Sequence, residues 1–431
     1  MGEKNFLQKF CYYLFSIGLF LSALGSMAVY SLPLPWIGFL LLAIAWLSTI
    51  VFSGKFNYSI FILLFFFFSI NIFLSIYNYD FYNTKFPSNT TSSYQIYILL
   101  RYLKLICFFA TISIIIWLCR LGYEKRIHKF IVWLGVLVSV YAIYIYLAQI
   151  NGLPELLPRN RIGTNMNIND LGLVFEGNHR AMGSFLEPGH LAAWLVVPLI
   201  LSVGLSKKKF NLPAFIILLT IVLSASLASI LAIFIGFIIS LLIYISNISI
   251  IPRKRYFRDK TKALNNIIYF VGFAIIIIFV INYLLNGNFI EPFLNRIFEI
   301  INFGIRNSNR GFIYDYLDTL PIFHFFGYGL GNIQIAFADH LGDNKLVSLL
   351  NIYLNIYYSC GLLLFIAFMI FFLYPLIKFY NKSNKSPFLF YLFWGYIAWL
   401  IIFAVSYEEF SIMFGVIFGL LWHRGSSEKS I

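Results

Sequence analysis

Runs of about 20 apolar residues recur along this chain, each long enough to cross a hydrocarbon layer of roughly 30 Å as a helix. They are Phe10–Tyr30, Leu34–Phe52, Phe56–Tyr77, Ile96–Cys119, Phe130–Ile150, Phe185–Leu205, Leu212–Leu223, Leu227–Ile248, Leu264–Leu285, Gly361–Phe379, Phe388–Val405 and Phe410–Trp422. The pattern predicts an all-α integral membrane protein with about 12 transmembrane helices in one polytopic domain, residues 1–431. A barrel would need short alternating strands instead. Leu212–Leu223 and Leu227–Ile248 also read as one bent unit split near Ser224-Ala225-Ser226.

Two long polar segments interrupt the pattern, 151–184 and 286–345, and a shorter one runs from Asn78 to Gln95. In the longest, Phe293, Ile297, Phe298 and Ile301 recur at helical spacing, which predicts an interfacial amphipathic helix. A second helix is predicted from about Arg310 to Leu320, with Ser308 or Asn309 as its cap and Pro321 at its end. Leu346, Leu350, Leu354 and Tyr358 predict a third over Asn344–Ser359, leading into the span that starts near Gly361. Ser184 and Glu187 have the spacing of a capping box, and Pro188 suits the first turn after it.

Composition narrows the class. Hydrophobic residues make up 61% of the chain and charged ones 11%, so no segment is left for a soluble domain. The net charge of +14 has a topological explanation. Lys4 and Lys9, the loop with Arg120, Lys125, Arg126 and Lys129, then Lys207–Lys209, Arg253–Lys262, Lys378–Lys385 and the Arg424 tail fall on one side. Roughly two-thirds of the Lys and Arg lie there, which marks the cytoplasmic face and places both termini on it. The long polar segments then become two large outer loops. The basic clusters are short and carry no nucleic-acid-reading module, so their expected partner is anionic membrane lipid, with no nucleic acid. The four cysteines lie in or beside spans and read as apolar filler. Neither a Cys/His metal spacing nor a nucleotide-binding glycine loop stands out, so no metal and no cofactor is expected.

Outer arginines run against the orientation bias, yet Arg159, Arg161, Arg180, Arg306 and Arg310 all fall in the two outer loops. Arg101 and Lys104 lie near the outer end of a span. Such a set suits a substrate carrying phosphate or diphosphate at the outer leaflet. Arg310 has a second reading, a salt bridge to Asp315 or Glu299 or an exposed surface cation. Glu187 reads as a helix cap or as a general base made less acidic by partial burial. His179, His190 and His340 are alternative bases or hydrogen-bonded wall residues. Gly327, Gly329 and Gly331 turn the chain, and alternatively let backbone N–H groups approach an anion. Tyr314, Tyr316 and Tyr328 offer faces for sugar stacking or for packing.

The order of these elements resembles the O-antigen polymerases and ligases, polytopic enzymes of bacterial surface polysaccharide assembly. The likeness rests on Arg310, Pro321 and Gly327-Tyr328-Gly329-Leu330-Gly331-Asn332 in the late outer loop, then Asn351-Ile352-Tyr353-Leu354 leading to Gly361. Phe185-Leu186-Glu187-Pro188 is similar to the family's segment at the exit of the earlier loop, while Ser224-Ala225-Ser226 stands in for a Ser-Arg-Gly-like element without its arginine. Ligases carry a histidine where this chain has Leu350, which favours polymerase. The resemblance implies a GT-C-like fold in the bacterial inner membrane. It implies a glycosyltransferase that joins lipid-linked oligosaccharide repeats on the outer face, without metal or nucleotide sugar. Its partner would be an undecaprenyl-pyrophosphate-linked glycan, and it admits a chain-length regulator. On this reading Arg310 and Arg180 hold the leaving diphosphate. Arg159, Arg161, Arg306, Arg101, His190, Tyr314 and Gly329 contribute to substrate binding. Glu187 or His340 takes the acceptor proton. A ligase, a lipid-linked oligosaccharide flippase and a glycosyltransferase using polyprenyl-phosphate sugars are the competing readings. The scarcity of charge at span centres disfavours the flippase.

Overall fold

Backbone groups in an apolar run must bond one another where water is absent, and here they do so as helices. The structure, a computed structural model, describes residues 2–29, 32–53, 58–88, 93–154, 174–175, 178–206, 211–246, 311–321, 325–343, 349–380, 387–405 and 410–427, with isolated positions between 272 and 302 and at 346. The predicted span Leu264–Leu285 and the helix at 293–301 lie almost wholly outside these residues. Arg159, Arg161, Arg306 and Arg310 lie outside them as well.

Fourteen helices form among the described residues. They are α1 (Gly2–Ser22), α2 (Leu34–Ser53), α3 (Tyr58–Tyr77), α4 (Tyr79–Thr84), α5 (Tyr94–Arg120), α6 (Glu124–Asn151), α7 (Pro188–Leu205), α8 (Leu212–Leu223) and α9 (Leu227–Ser246). Then come α10 (Gly311–Thr319), α11 (Asn332–Leu341), α12 (Ile352–Phe379), α13 (Pro387–Phe403) and α14 (Ile412–Ser427). Two antiparallel hairpins of two-residue strands, Ala28–Val29 with Leu32–Pro33 and Val174–Phe175 with Asn178–His179, complete the regular structure. Among the described residues, six helices are long and apolar enough to cross a membrane, in α2, α5, α6, α7, α9 and α12, and several shorter apolar helices accompany them. The chain is therefore a multi-pass membrane protein. Helix α1 stops at Ser22, inside the run Phe10–Tyr30, and the chain turns through Ala23–Met27 into the first hairpin.

Lipid supplies no hydrophobic force between spans, so close approach of backbones matters. Glycine provides it at several seams. A β-carbon on Gly18 of α1 would lie 2.9 Å from the carbonyl oxygen of Gly38 on α2. One on Gly236 of α9 would lie 2.9 Å from the backbone nitrogen of Ala398 on α13. One on Gly419 of α14 would lie 2.8 Å from Ile115 on α5. Aromatic rings fill the centre, where Phe108, Phe372, Phe403 and Phe414 meet at centroid distances of 4.6–6.2 Å.

The bundle has two unlike ends. At the basic end, Arg424 of α14 pairs with Glu124 at the start of α6. The Lys378 ammonium stands 4.5 Å over the Trp422 ring, and Tyr12 of α1 meets Tyr123 at 5.4 Å. So α1 begins and α14 ends on the same side as Arg120, Lys125 and Arg126. The opposite, loop end carries the start of α5, the glycine turn at 327–331, and α10 and α11.

Candidate functional site

The loop-end site is built on a broken helix. Gly361 interrupts α12 with φ 80° and ψ 169°, a backbone conformation open essentially to glycine alone. The break withdraws the helical N–H donors that the carbonyls of Tyr358 and Ser359 would otherwise receive. The glycine turn supplies replacements: Tyr328 N–H donates to Tyr358 O at 2.8 Å and Gly329 N–H to Ser359 O at 2.9 Å. Contact is backbone to backbone. A β-carbon on Gly327 would lie 2.5 Å from the Cys360 nitrogen, and one on Gly361 would lie 2.7 Å from the Phe325 carbonyl carbon. Two glycine motifs some thirty residues apart thus form one interlocked device.

The turn is fixed on its other side by α5. Gly329 and Gly331 take φ values of 92° and 89°, which glycine adopts without penalty. Asn332 is fully buried. Its amide donates to Tyr328 O at 2.8 Å, and its Oδ1 accepts from the Tyr94 hydroxyl at 2.9 Å. The Tyr97 hydroxyl donates to Gly331 O at 3.2 Å. On α3, the Ser75 hydroxyl bonds Tyr102 at 3.0 Å and lies against Gly329.

These contacts place a cation beside a helix N-terminus. The Arg101 guanidinium lies 5.0 Å from the Tyr97 ring centroid, and its stem passes over Gly331. Gly331 is the N-cap of α11 and makes no side-chain cap bond, while the Asn332 N–H turns back to Gly329 O at 3.2 Å. The helix dipole and the guanidinium therefore favour negative charge at the same place. Each effect is modest alone, and burial of the α11 start weakens solvent screening of both.

A small second core covers this corner. Ile313 and Tyr316 of α10 pack with Ile333 and Phe337 of α11 and with Leu349 and Tyr358. Tyr316 stacks on Phe337 at 4.6 Å and meets the His340 ring at 4.9 Å. Tyr314 sits half-buried on α10. At the rim, Lys85 pairs with Asp339 at 2.6 Å. Burial pushes the phenols of Tyr82, Tyr316 and Tyr328 above the usual tyrosine range. All three stay neutral near pH 7, as hydrogen-bonding walls rather than bases.

Arg180 and Glu187 belong to a different corner, against α6, α7 and α8. The segment Ala181–Phe185 is non-helical and fully buried, a backbone course that membrane proteins accept only inside protein or along a cavity. The capping box expected at Ser184 does not form. The Ser184 hydroxyl instead donates to Ala23 O at 2.7 Å, and Glu187 itself takes the N-cap place of α7 without a side-chain cap bond. The helix starts at Pro188, which has no N–H to leave unsatisfied. His190 follows in its first turn. Arg180 Nε donates to Ser224 O at 3.0 Å and Nη2 to Ala225 O at 3.3 Å, while Ala181 N–H donates to Leu223 O at 2.9 Å. The end of α8 is thereby capped by a cation, at the negative pole of its dipole. Ala225 sits there at φ 48°, so the split at Ser224–Ser226 is a sharp turn between two helices.

Arg180→Ala is expected to lower stability by about 1–2 kcal/mol, since two helix-end carbonyls lose a charged donor. Thermal melting in detergent checks this. An unchanged melting temperature with lost activity would instead give the guanidinium to substrate.

The sequence reading missed Tyr94, Tyr97, Ser75 and the Lys85–Asp339 pair. Tyr94, Tyr97 and Arg101 do share one helical face at the polar end of a span, which is the signal that marks them. The helix expected over Asn344–Ser359 starts later, at Ile352, because Asn351 caps it by accepting from Leu354 N–H at 3.1 Å. Leu350 precedes this cap at φ 51°, a strained value for leucine. Among the described residues, no group of three or more His, Cys, Asp or Glu could hold a metal ion. No protein-family model, no curated protein and no solved structure matches the chain.

Proposed function

We propose that this protein is a metal-independent glycosyltransferase of the O-antigen polymerase kind, acting on lipid-linked oligosaccharide repeats at its loop end. The observation that carries the reading is the corner where Arg101 crosses Gly331 at the uncapped start of α11. On this reading the guanidinium and the helix end together attract the anionic group of a lipid-linked donor. The basic end faces the cytoplasm of the bacterial inner membrane on this reading, as the Lys and Arg bias favours. The donor glycan is bonded through its anomeric carbon to an undecaprenyl-diphosphate oxygen. A hydroxyl of the incoming repeat attacks that carbon, the carbon–oxygen bond to the diphosphate breaks, and a base takes the hydroxyl proton. Arg101 and Arg310, the residue immediately before α10 in sequence, stabilise the departing charge. His340, on the cap beside Tyr316, is the candidate base on this side, and Glu187, at the start of α7 in the other corner, is the alternative base. Arg159, Arg161, Arg180, Arg306, His190 and Tyr314 are assigned to substrate binding on this reading, with Gly329 shaping the seat.

Deleting the gene tests the reaction class. Surface glycan on a gel is expected to lose long chains and keep single repeats, and Arg310→Ala should give the same profile with normal protein level. Complete loss of exported repeats would point to a flippase. Long polymer left unattached would point to a ligase.

A further inference from the structure

Two large aromatic side chains stand open at the loop end. Phe325 and Phe326, just before the glycine turn, are 59% and 69% exposed. Adjacent exposed phenylalanines are costly in water and call for an apolar neighbour.

Helix α12 shows what lies beside them. Its break at Gly361 separates an outer piece, Ile352–Cys360, from a longer piece that runs to Phe379. On the longer piece Leu363, Ile366, Ile370, Leu373 and Ile377 are all exposed, at alternating spacings of three and four. They form one continuous apolar stripe, the face that a span turns to lipid tails. Where the stripe ends on the basic side, the Lys378 ammonium stands over the Tyr374 and Trp422 rings, the cationic and aromatic belt of a membrane boundary. Gly361 lies 17 residues from Lys378, roughly 26 Å at about 1.5 Å per residue. That is close to the roughly 30 Å of a hydrocarbon layer, so the break sits near the layer's edge at the loop end.

Backbone contacts tie Phe325 to that depth. Its carbonyl group lies against Gly361, and Gly327 lies against the peptide between Ser359 and Cys360. The phenylalanine pair therefore stands at the level where the lipid-facing stripe ends. The cap formed by α10 and α11 has an exposed surface of the opposite kind. Asp315, Asp318, Asp339 and Asp343 are exposed on it, and residues 311–343 contain no Lys or Arg. Water suits that surface, and hydrocarbon suits the phenylalanines.

We propose that Phe325 and Phe326 insert into the bilayer leaflet at the loop end and anchor the cap there. The partner of this surface is the acyl chains of membrane lipid. The inference follows from the fold alone and stands whether or not the polymerase reading holds. The anchor holds the glycine turn from the lipid side, as Tyr94 and Tyr97 hold it from the protein side.

Nitroxide spin labels on the full-length protein in liposomes test this. The four native cysteines are buried, so Phe325→Cys and Phe326→Cys each add one exposed thiol for labelling. Leu363→Cys marks the lipid-facing stripe, and Asp315→Cys marks the water side of the cap. Oxygen concentrates in the bilayer and a nickel chelate stays in water, so the ratio of their collision rates with the label reports its depth. At both phenylalanine positions that ratio is expected to approach the value at Leu363 and to exceed the value at Asp315 by about threefold or more. All four variants replace exposed side chains, and the size-exclusion profile follows their folding. A ratio like that at Asp315 would place the pair in a water-filled mouth and overturn the anchor. Labels that neither reagent reaches would show the pair covered by protein, which overturns it equally.

Discussion

Alanine in place of Gly361 will destabilise the protein by about 3 kcal/mol or more and take the loop-end site with it. Two costs add. The backbone at φ 80° and ψ 169° is one that side chains other than hydrogen avoid. The new methyl would also meet the Phe325 carbonyl group and lie 2.8 Å from the Gly327 nitrogen. Those are main-chain atoms, so no rotamer change relieves the collision. Gly122 is the natural control. Its φ is 87° and nothing lies within 4 Å of an added β-carbon, so Gly122→Ala should cost only about 1–2 kcal/mol. Melting of both variants in detergent checks the difference. If Gly361→Ala melts no lower than Gly122→Ala, the turn and the broken helix are not interlocked.

That interlock shows where sequence reading reaches its limit. Apolar runs announce helices because length and hydropathy are local properties, and α2, α8 and α9 sit close to where their runs predict. The helix from about Arg310 to Leu320 was legible for the same reason, through its apolar spacing and Pro321. Gly327 read as part of a turn and Gly361 as the start of a span. Nothing local says that one is small because the other's backbone occupies its space. Ser184 failed in the opposite way. Its spacing to Glu187 is that of a capping box, but a buried neighbour, the carbonyl of Ala23, claims the hydroxyl. The Arg180 guanidinium likewise finds carbonyls at the end of α8, forty-odd residues away in sequence. Long-range partners decide these side chains, and residue spacing does not encode them. For Arg310, whose side chain lies outside the described residues, the phosphate reading rests on sequence alone.

Arg101→Met should reduce chain extension by about a hundredfold or more while the protein still folds. Methionine keeps an apolar stem across Gly331 and beside the Tyr97 ring, so packing is largely retained. What disappears is the fixed positive charge facing the start of α11. Arg101→Lys keeps the charge but not the planar fork, and should recover part of the activity. A melting temperature close to wild type separates this loss from a folding defect. Equal activity of Arg101→Met and wild type would remove the corner from the mechanism.

Reconstitution of the purified protein in liposomes, with the organism's own diphosphate-linked oligosaccharide repeat as sole substrate, tests the central claim most directly. Wild type is expected to convert single repeats into a ladder of longer chains without added metal or nucleotide sugar, and Arg101→Met to leave them single. Folded wild-type protein that leaves every repeat unextended would contradict the assignment.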